Sequence, residues 1–177
     1  MSKTLIVLNP HAANGRAGKL WSTIEPMLWD KLGDLVIAVT QSSVDVAQHI
    51  HQAYEAGLTR VISIGGDGTN HSLINALAEH NELYPDVPQM QYGMLPIGTG
   101  RDWARSLGIP FDMQSAADWI VNAKPTAVDV GRVQLDDKRV YFLNIASVGI
   151  SGDVVRRVEA SQRRKWSFLL ATLQSML

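Results

Sequence analysis

Val61-Ile62-Ser63-Ile64-Gly65-Gly66-Asp67-Gly68-Thr69-Asn70 is the stretch on which the fold turns. Its apolar, β-branched start suits a strand buried on both faces. Glycines follow at once, and then Leu73, Ile74, Leu77 and Ala78 recur at helical spacing. Strand, glycine turn and helix together form the repeating unit of an α/β layer structure with a largely parallel sheet. Glycine lets backbone approach a ligand closely, and a helix N-terminus presents unpaired N–H groups and a positive dipole end. That combination suits a phosphate. Asp67 would repel a bare phosphate, so its carboxylate points to a bridging Mg2+ or to proton transfer. The purely structural alternative is a tight turn with Thr69 as N-cap.

The same rhythm extends in both directions. Leu5 to Leu8 reads as a first strand, ended by Asn9-Pro10. A small-residue loop from His11 to Gly18 follows, then a helix marked by Leu20, Ile24, Met27, Leu28 and Leu32. Leu35 to Val39 predicts a second strand, and Val46, Ala47, Ile50, Ala53 and Tyr54 a second helix. Asn81 to Gln91, with Pro85 and Pro88, reads as a loop before a short strand from Tyr92 to Leu95. Helices are predicted from about Arg101 to Leu107 and around Ala116 to Ile120. After Pro125 the pattern changes. Val128 to Val133 and Val140 to Ile145 suggest antiparallel strands about Asp136-Asp137, with a helix from Asp153 to Leu177.

Composition narrows the function classes. The 177 residues include 46% hydrophobic and 19% charged residues, enough apolar surface for a packed core. A net charge of -1 opposes a nucleic-acid binder that relies on a general basic field. With no cysteine, disulfides, thiolate metal sites and cysteine nucleophiles are excluded. No apolar run reaches the length of a membrane span, so the expected location is cytoplasmic, with any membrane contact peripheral. Two common nucleotide motifs fail. A dinucleotide fingerprint needs glycine where His71 stands, and a P-loop needs Ser or Thr where Leu20 follows Gly18-Lys19.

A second loop, Leu95-Pro96-Ile97-Gly98-Thr99-Gly100-Arg101-Asp102, also lies between predicted strand and helix. Taken alone, Thr99 and Asp102 stand at capping-box spacing. Two such loops on neighbouring parallel strands, however, bring two helix N-termini to the sheet edge where open α/β sheets bind ligands. The loop after the first strand should emerge there too.

In these motifs the chain resembles the diacylglycerol kinase catalytic-domain family, which includes bacterial lipid kinases and sphingosine kinases. The resemblance rests on Asn9-Pro10, Thr40, Gly65 to Asn70, Leu95 to Thr99 with Asp102, Phe142-Leu143-Asn144 and Gly149-Ile150-Ser151-Gly152. It implies a three-layer α/β nucleotide-binding domain over residues 1–125, as in NAD kinases and diacylglycerol kinases. Residues 126–177 would begin a β-rich second domain, with ATP bound in the cleft. By resemblance, Gly65, Gly66, Asp67, Gly68, Thr69 and Asn70 hold ATP phosphates, and Asn9, Thr40, Gly98, Thr99 and Asp102 border the nucleotide. Asp67 would face Mg2+ or the acceptor hydroxyl, and the acceptor would be a lipid such as diacylglycerol. No residue of the chain is assigned as a dedicated metal ligand.

Two departures from the family pattern stand out. Arg101 precedes Asp102 where the bacterial pattern has Asn, and the chain ends at Leu177 before the late Asp-Gly-Glu segment. The expectation is therefore an ATP-dependent lipid kinase whose catalytic set is incomplete in this chain. An ATP-binding module without catalysis, and a kinase for a soluble hydroxyl acceptor such as NAD, are the alternatives.

Other residues suggest less. His11, His49, His51, His71 and His80 could suggest a metal, but His49 and His51 lie two apart on a predicted helix and point in different directions, and only His71, next to the glycine turn, merits a functional test. The basic residues Arg156, Arg157, Arg163, Arg164 and Lys165 lead into an apolar helix. That helix would pack on the fold, touch anionic lipid or, left uncovered, promote homo-oligomers.

Overall fold

A computed structural model of the chain describes residues 3–98 and 101–147. Thr99, the Gly149 to Gly152 motif and the predicted C-terminal helix lie outside the described residues. Four parallel strands form the sheet: β1 (Thr4–Leu8), β2 (Leu35–Val39), β3 (Arg60–Gly65) and β4 (Gln91–Pro96). Their order is β2-β1-β3-β4.

Alternation along the strands sorts the core into two halves. Ile6, Leu8, Ile62, Ile64 and Leu95 pack with Ile24 and Leu28 of α1 (Ala12–Leu32) and with Ala116 and Ala117 of α5 (Met113–Asn122). Leu5, Val7 and Val61 pack with Val46 and Ile50 of α2 (Ser43–Glu55) and with Leu73 and Leu77 of α3 (Asp67–Leu83). Helices thus cover both faces, as the continuous apolar strands require. Lys31 of α1 and Asp118 of α5 form an ion pair across the first layer. These elements belong to one compact unit that ends at Asn144. Among the described residues no helix is long and apolar enough to cross a membrane.

Several boundaries differ from those the sequence suggests, among them the strands expected at Val128 to Val133 and Val140 to Ile145, which run at Gly131–Leu135 and Lys138–Phe142 because Gly131 pairs with Phe142. The loop expected from His11 to Gly18 is largely absorbed into α1, but Ala13, Asn14 and Gly15 have φ of 52°, 58° and 80°. These left-handed residues kink the chain before the regular helix. Helix α3 starts earlier than expected, at Asp67, because Gly66 and not Thr69 is its N-cap. It also continues to Leu83, past the predicted loop start at Asn81, because its last turns are engaged on two sides.

On one side, the rings of Tyr54 and His80 stack with centroids 3.5 Å apart, and Tyr54 Oη donates to Asn81 Oδ1 at 3.0 Å. Burial, and then the neighbouring His51, hold the His80 pKa below its ordinary value of 6.5. The unfolded chain therefore binds a proton more readily than the folded one. Stability from this group is complete above pH 6.5 and falls as pH drops from there through the lower folded-state pKa. Thermal unfolding between pH 7.5 and pH 5 is expected to show a falling midpoint. His80→Phe, which keeps a ring on Tyr54, should flatten that part of the profile; an unchanged profile would assign the acid sensitivity elsewhere.

On the other side sits an antiparallel hairpin, β5 (Gly131–Leu135) and β6 (Lys138–Phe142), turning at Asp136 with φ 50°. Asn75 Nδ2 donates to the Tyr141 carbonyl at 2.9 Å, and the Tyr141 N–H donates to Asn75 Oδ1 at 2.8 Å. Glu82 accepts from Arg132 and Arg139, each at 2.9 Å. A two-stranded hairpin is marginal in water by itself, so α3 is what holds this one in place. Asn75→Ala should cost about 2 kcal/mol through the backbone groups of Tyr141 left unpaired. Hydrogen exchange should then show amides 131–142 losing protection while those of 60–65 keep theirs.

Candidate functional site

The carboxyl ends of the strands converge on one edge of the sheet. Chain order runs outward in opposite directions from the β1/β3 pair, which makes the gap between β1 and β3 the topological switch point. Open α/β sheets bind ligands in that crevice. Asn9, just after β1, and Gly66, just after β3, flank it.

The loops there are in contact. An ideal Cβ placed on Gly98 would lie 3.0 Å from Gly66 Cα and 3.5 Å from the Asp67 nitrogen. The approach requires glycine at Gly98, whereas a Cβ on Gly66 would meet only Gly98 Cα, at an ordinary 3.9 Å. The loop after β1 is tied in by Asn9, whose Nδ2 donates to Thr69 Oγ1 at 3.1 Å and whose N–H donates to the Ile64 carbonyl at 3.0 Å. Asn9 Oδ1 also accepts from the His11 N–H at 3.1 Å. The three turns therefore form one cradle.

Helix N-termini around this edge differ in how they are closed. Helix α2 is sealed by a complete capping box between Ser42 and Asp45, and α5 by Asp112. Helix α3 has a glycine cap with no side-chain oxygen, and its first internal bond runs from the Asn70 N–H to the Gly66 carbonyl. Among the described residues, the amides of Asp67, Gly68 and Thr69 have no acceptor. Seventeen residues of helix thus end in open donors and a positive dipole end, facing the contact between the loops. A phosphate group fits those donors.

The candidate residues play unequal parts. Asp67 and Gly68 are exposed at the cradle, while Gly65 and Gly98 are buried in its floor. Thr69 is buried and engaged with Asn9. Asn70 turns inward, with Nδ2 3.9 Å from Met94 Sδ, so only its backbone belongs to the turn. Thr40 is also buried, and its hydroxyl donates to the Ser42 carbonyl at 2.8 Å. It shapes the turn after β2. Asp102 begins the short helix α4 (Asp102–Ser106) and is exposed, accepting from Arg105 at 2.7 Å. The N-cap of α4 is Arg101, so the spacing of Thr99 and Asp102 does not make Thr99 the cap.

Beneath α3 the Tyr92 hydroxyl is buried without a partner among the described residues. Burial, and then the charge of Asp67, raise its pKa far above the ordinary value. His71 lies one turn beyond Asp67 on the same helix face. It is exposed and lines a groove of about 420 Å³ with Ser43, Ser72, Asn75 and Glu79. That groove runs along α2 and α3, outside the cradle.

No group of three or more His, Cys, Asp or Glu side chains gathers among the described residues as a ready-made metal site. The lone exposed carboxylate of Asp67 beside the open amides of α3 would suit Mg2+ only if phosphate oxygens and water supplied most of its ligands.

The profile described as the diacylglycerol kinase catalytic domain matches residues 3–133. The chain belongs to this family. It is 32% identical over 146 residues to the Klebsiella pneumoniae protein named "Probable lipid kinase YegS-like", covering 82% of this chain and 45% of that one. Against a Staphylococcus saprophyticus diacylglycerol kinase the identity is 33% over 120 residues, covering 68% of this chain and 32% of that one. A crystal structure of a diacylglycerol kinase from Bacillus anthracis superposes with a TM-score of 0.60 at 30% identity, covering 73% of this chain and 44% of that one. The chain thus spans less than half the length of these family members. Membership in the family and the α/β architecture with a following antiparallel sheet both agree with the sequence motifs.

Two features were not singled out from sequence. One, near the cradle, is the left-handed run at Ala13 to Gly15, in the loop after β1. The other, outside the cradle, is Asn75, which holds the hairpin and whose only signal is an amide on the half-buried side of a helix.

Proposed function

We propose that the cradle binds the triphosphate of ATP together with Mg2+. The complete polypeptide would transfer the γ-phosphate to the hydroxyl of a diacylglycerol-like lipid. The observation that carries this reading is the contact of Gly66 with Gly98 beside the open N-terminus of α3. Phosphoryl transfer needs positioning and charge neutralisation above all, and an amide-lined seat supplies both. In the reaction, the acceptor oxygen forms a bond to the γ-phosphorus and the bond to the β-phosphate oxygen breaks, leaving ADP. In this reading Asp67, exposed at the start of α3, would take the hydroxyl proton or help hold Mg2+, and bound Mg2+ would offset phosphate charge. The lipid would be reached by peripheral contact with the inner membrane face, and residues from about 126 onward would begin the second lobe.

Labelled ATP, Mg2+ and mixed lipid micelles with the full-length polypeptide should yield labelled phospholipid. No labelled lipid rejects the lipid-kinase reading, and transfer to a soluble acceptor such as NAD in the absence of lipid redirects it. Calorimetry on the 177-residue chain separates the levels. ATP binding without turnover marks a nucleotide-binding lobe, and absence of any nucleotide binding overturns the cradle itself.

A further inference from the structure

We propose that Arg101 is a phosphate-contacting residue of the cradle, its guanidinium held over the loop so that its free edge meets the phosphate chain of the nucleotide. This rests on the nucleotide-binding reading above. Three observations converge on it.

Arg101 has φ 56° and ψ 24°, in the left-handed region that arginine rarely adopts. Strain of that kind persists only where surrounding contacts enforce it, and it clusters at ligand sites. The contacts here act on the side chain. Arg101 Nε donates to the Gly98 carbonyl at 2.7 Å, which folds the side chain back over its own loop. Its Cζ lies 5.2 Å from the centre of the Phe111 ring, a cation–π distance. Gly98 is the residue that touches Gly66, so the charge is fixed on the loop that abuts the open end of α3.

One edge and one face of the guanidinium are therefore occupied. The two terminal nitrogens have no acceptor among the described residues, and Arg101 has no carboxylate partner there. Arg105 differs: it lies 5.9 Å from the same ring, but its charge is paired with Asp102. A planar fork with its stem clamped and its tips uncommitted is suited to phosphate oxygens.

Arg101→Asn tests this cleanly, because asparagine tolerates the left-handed conformation and should keep the backbone turn while removing the charge. Calorimetry on the 177-residue chain would compare a non-hydrolysable ATP analogue with adenosine, both with Mg2+. The expected result is an affinity for the analogue about tenfold lower in Arg101→Asn, as for loss of a charge-assisted contact. Adenosine affinity should be unchanged, and the thermal midpoint equal or higher without ligand. Arg101→Lys, which keeps charge without the fork, should fall between. Equal analogue affinity in wild type and Arg101→Asn would overturn the assignment and leave the kinase reading standing. Equal loss for analogue and adenosine would also overturn it, by showing that the residue only shapes the loop. If the wild-type chain binds neither ligand, the nucleotide reading fails and this inference with it.

Discussion

Asp67→Asn is expected to lower phosphoryl transfer by the full-length polypeptide about 10²- to 10⁴-fold while leaving it folded. Asp67 is the exposed first residue of α3, and its charge favours the helix N-terminus, so losing it costs about 0.5 kcal/mol of helix stability. Asparagine has nearly the same shape but can neither accept the hydroxyl proton nor offer a full charge to Mg2+. The two roles separate in one experiment. If Asp67 helps hold the metal, the variant loses ATP affinity when Mg2+ is present and little without it. If it acts on the acceptor proton, affinity is kept and kcat alone falls. Full turnover would remove Asp67 from the mechanism.

The second large effect concerns the glycines, and its sign differs from one position to the next. A Cβ at Gly65 would stand 2.5 to 2.8 Å from three side-chain atoms of Thr69, which is buried and tied to Asn9. Gly65→Ala should therefore destabilise by about 1–3 kcal/mol and loosen the first turn of α3. At Gly98 the obstacle is the backbone of Gly66 at 3.0 Å, so Gly98→Ala should pry the loops apart and weaken nucleotide binding at least about tenfold. Gly68 meets nothing within 4 Å. There alanine should stabilise α3 by about 0.5–1 kcal/mol, yet crowd the phosphate seat and reduce affinity. Thermal midpoints and nucleotide titrations of the three variants check the pattern. A Gly68→Ala chain that binds ATP as well as wild type would place the phosphates elsewhere.

How far the sequence could be read depended on whether a signal was local. Leu5 to Leu8 and Val61 to Ile64 announce buried strands because every residue in them is apolar or small, and the structure places β1 and β3 there. The glycine turns were visible for the same reason: few residues other than glycine suit a backbone that must approach a ligand or another loop. What stayed hidden was set by partners distant in sequence. Thr69 has the character of a cap, but Asn9, sixty positions earlier, engages its hydroxyl and Gly66 takes the capping place. Thr40 sits at the right edge, yet Ser42 claims its side chain. Helix α3 ends later than its sequence suggests because Tyr54 and the arginines of the hairpin sustain almost one further turn. Ala13 in a left-handed conformation has no local signature at all.

The segment from Ala123 to Val130 is largely exposed, whereas the hairpin beyond it is gripped by Asn75 and Glu82, residues 66 and 50 positions ahead of the Tyr141 and Arg132 they hold. Covalent continuity and spatial placement are thereby uncoupled. Doubling the length of this tether would add only about 0.6 kcal/mol of closure entropy. Length changes there would leave the hairpin in its berth, whereas a single slipped residue within α3 would unseat the hairpin and rotate the open first turn of the helix together.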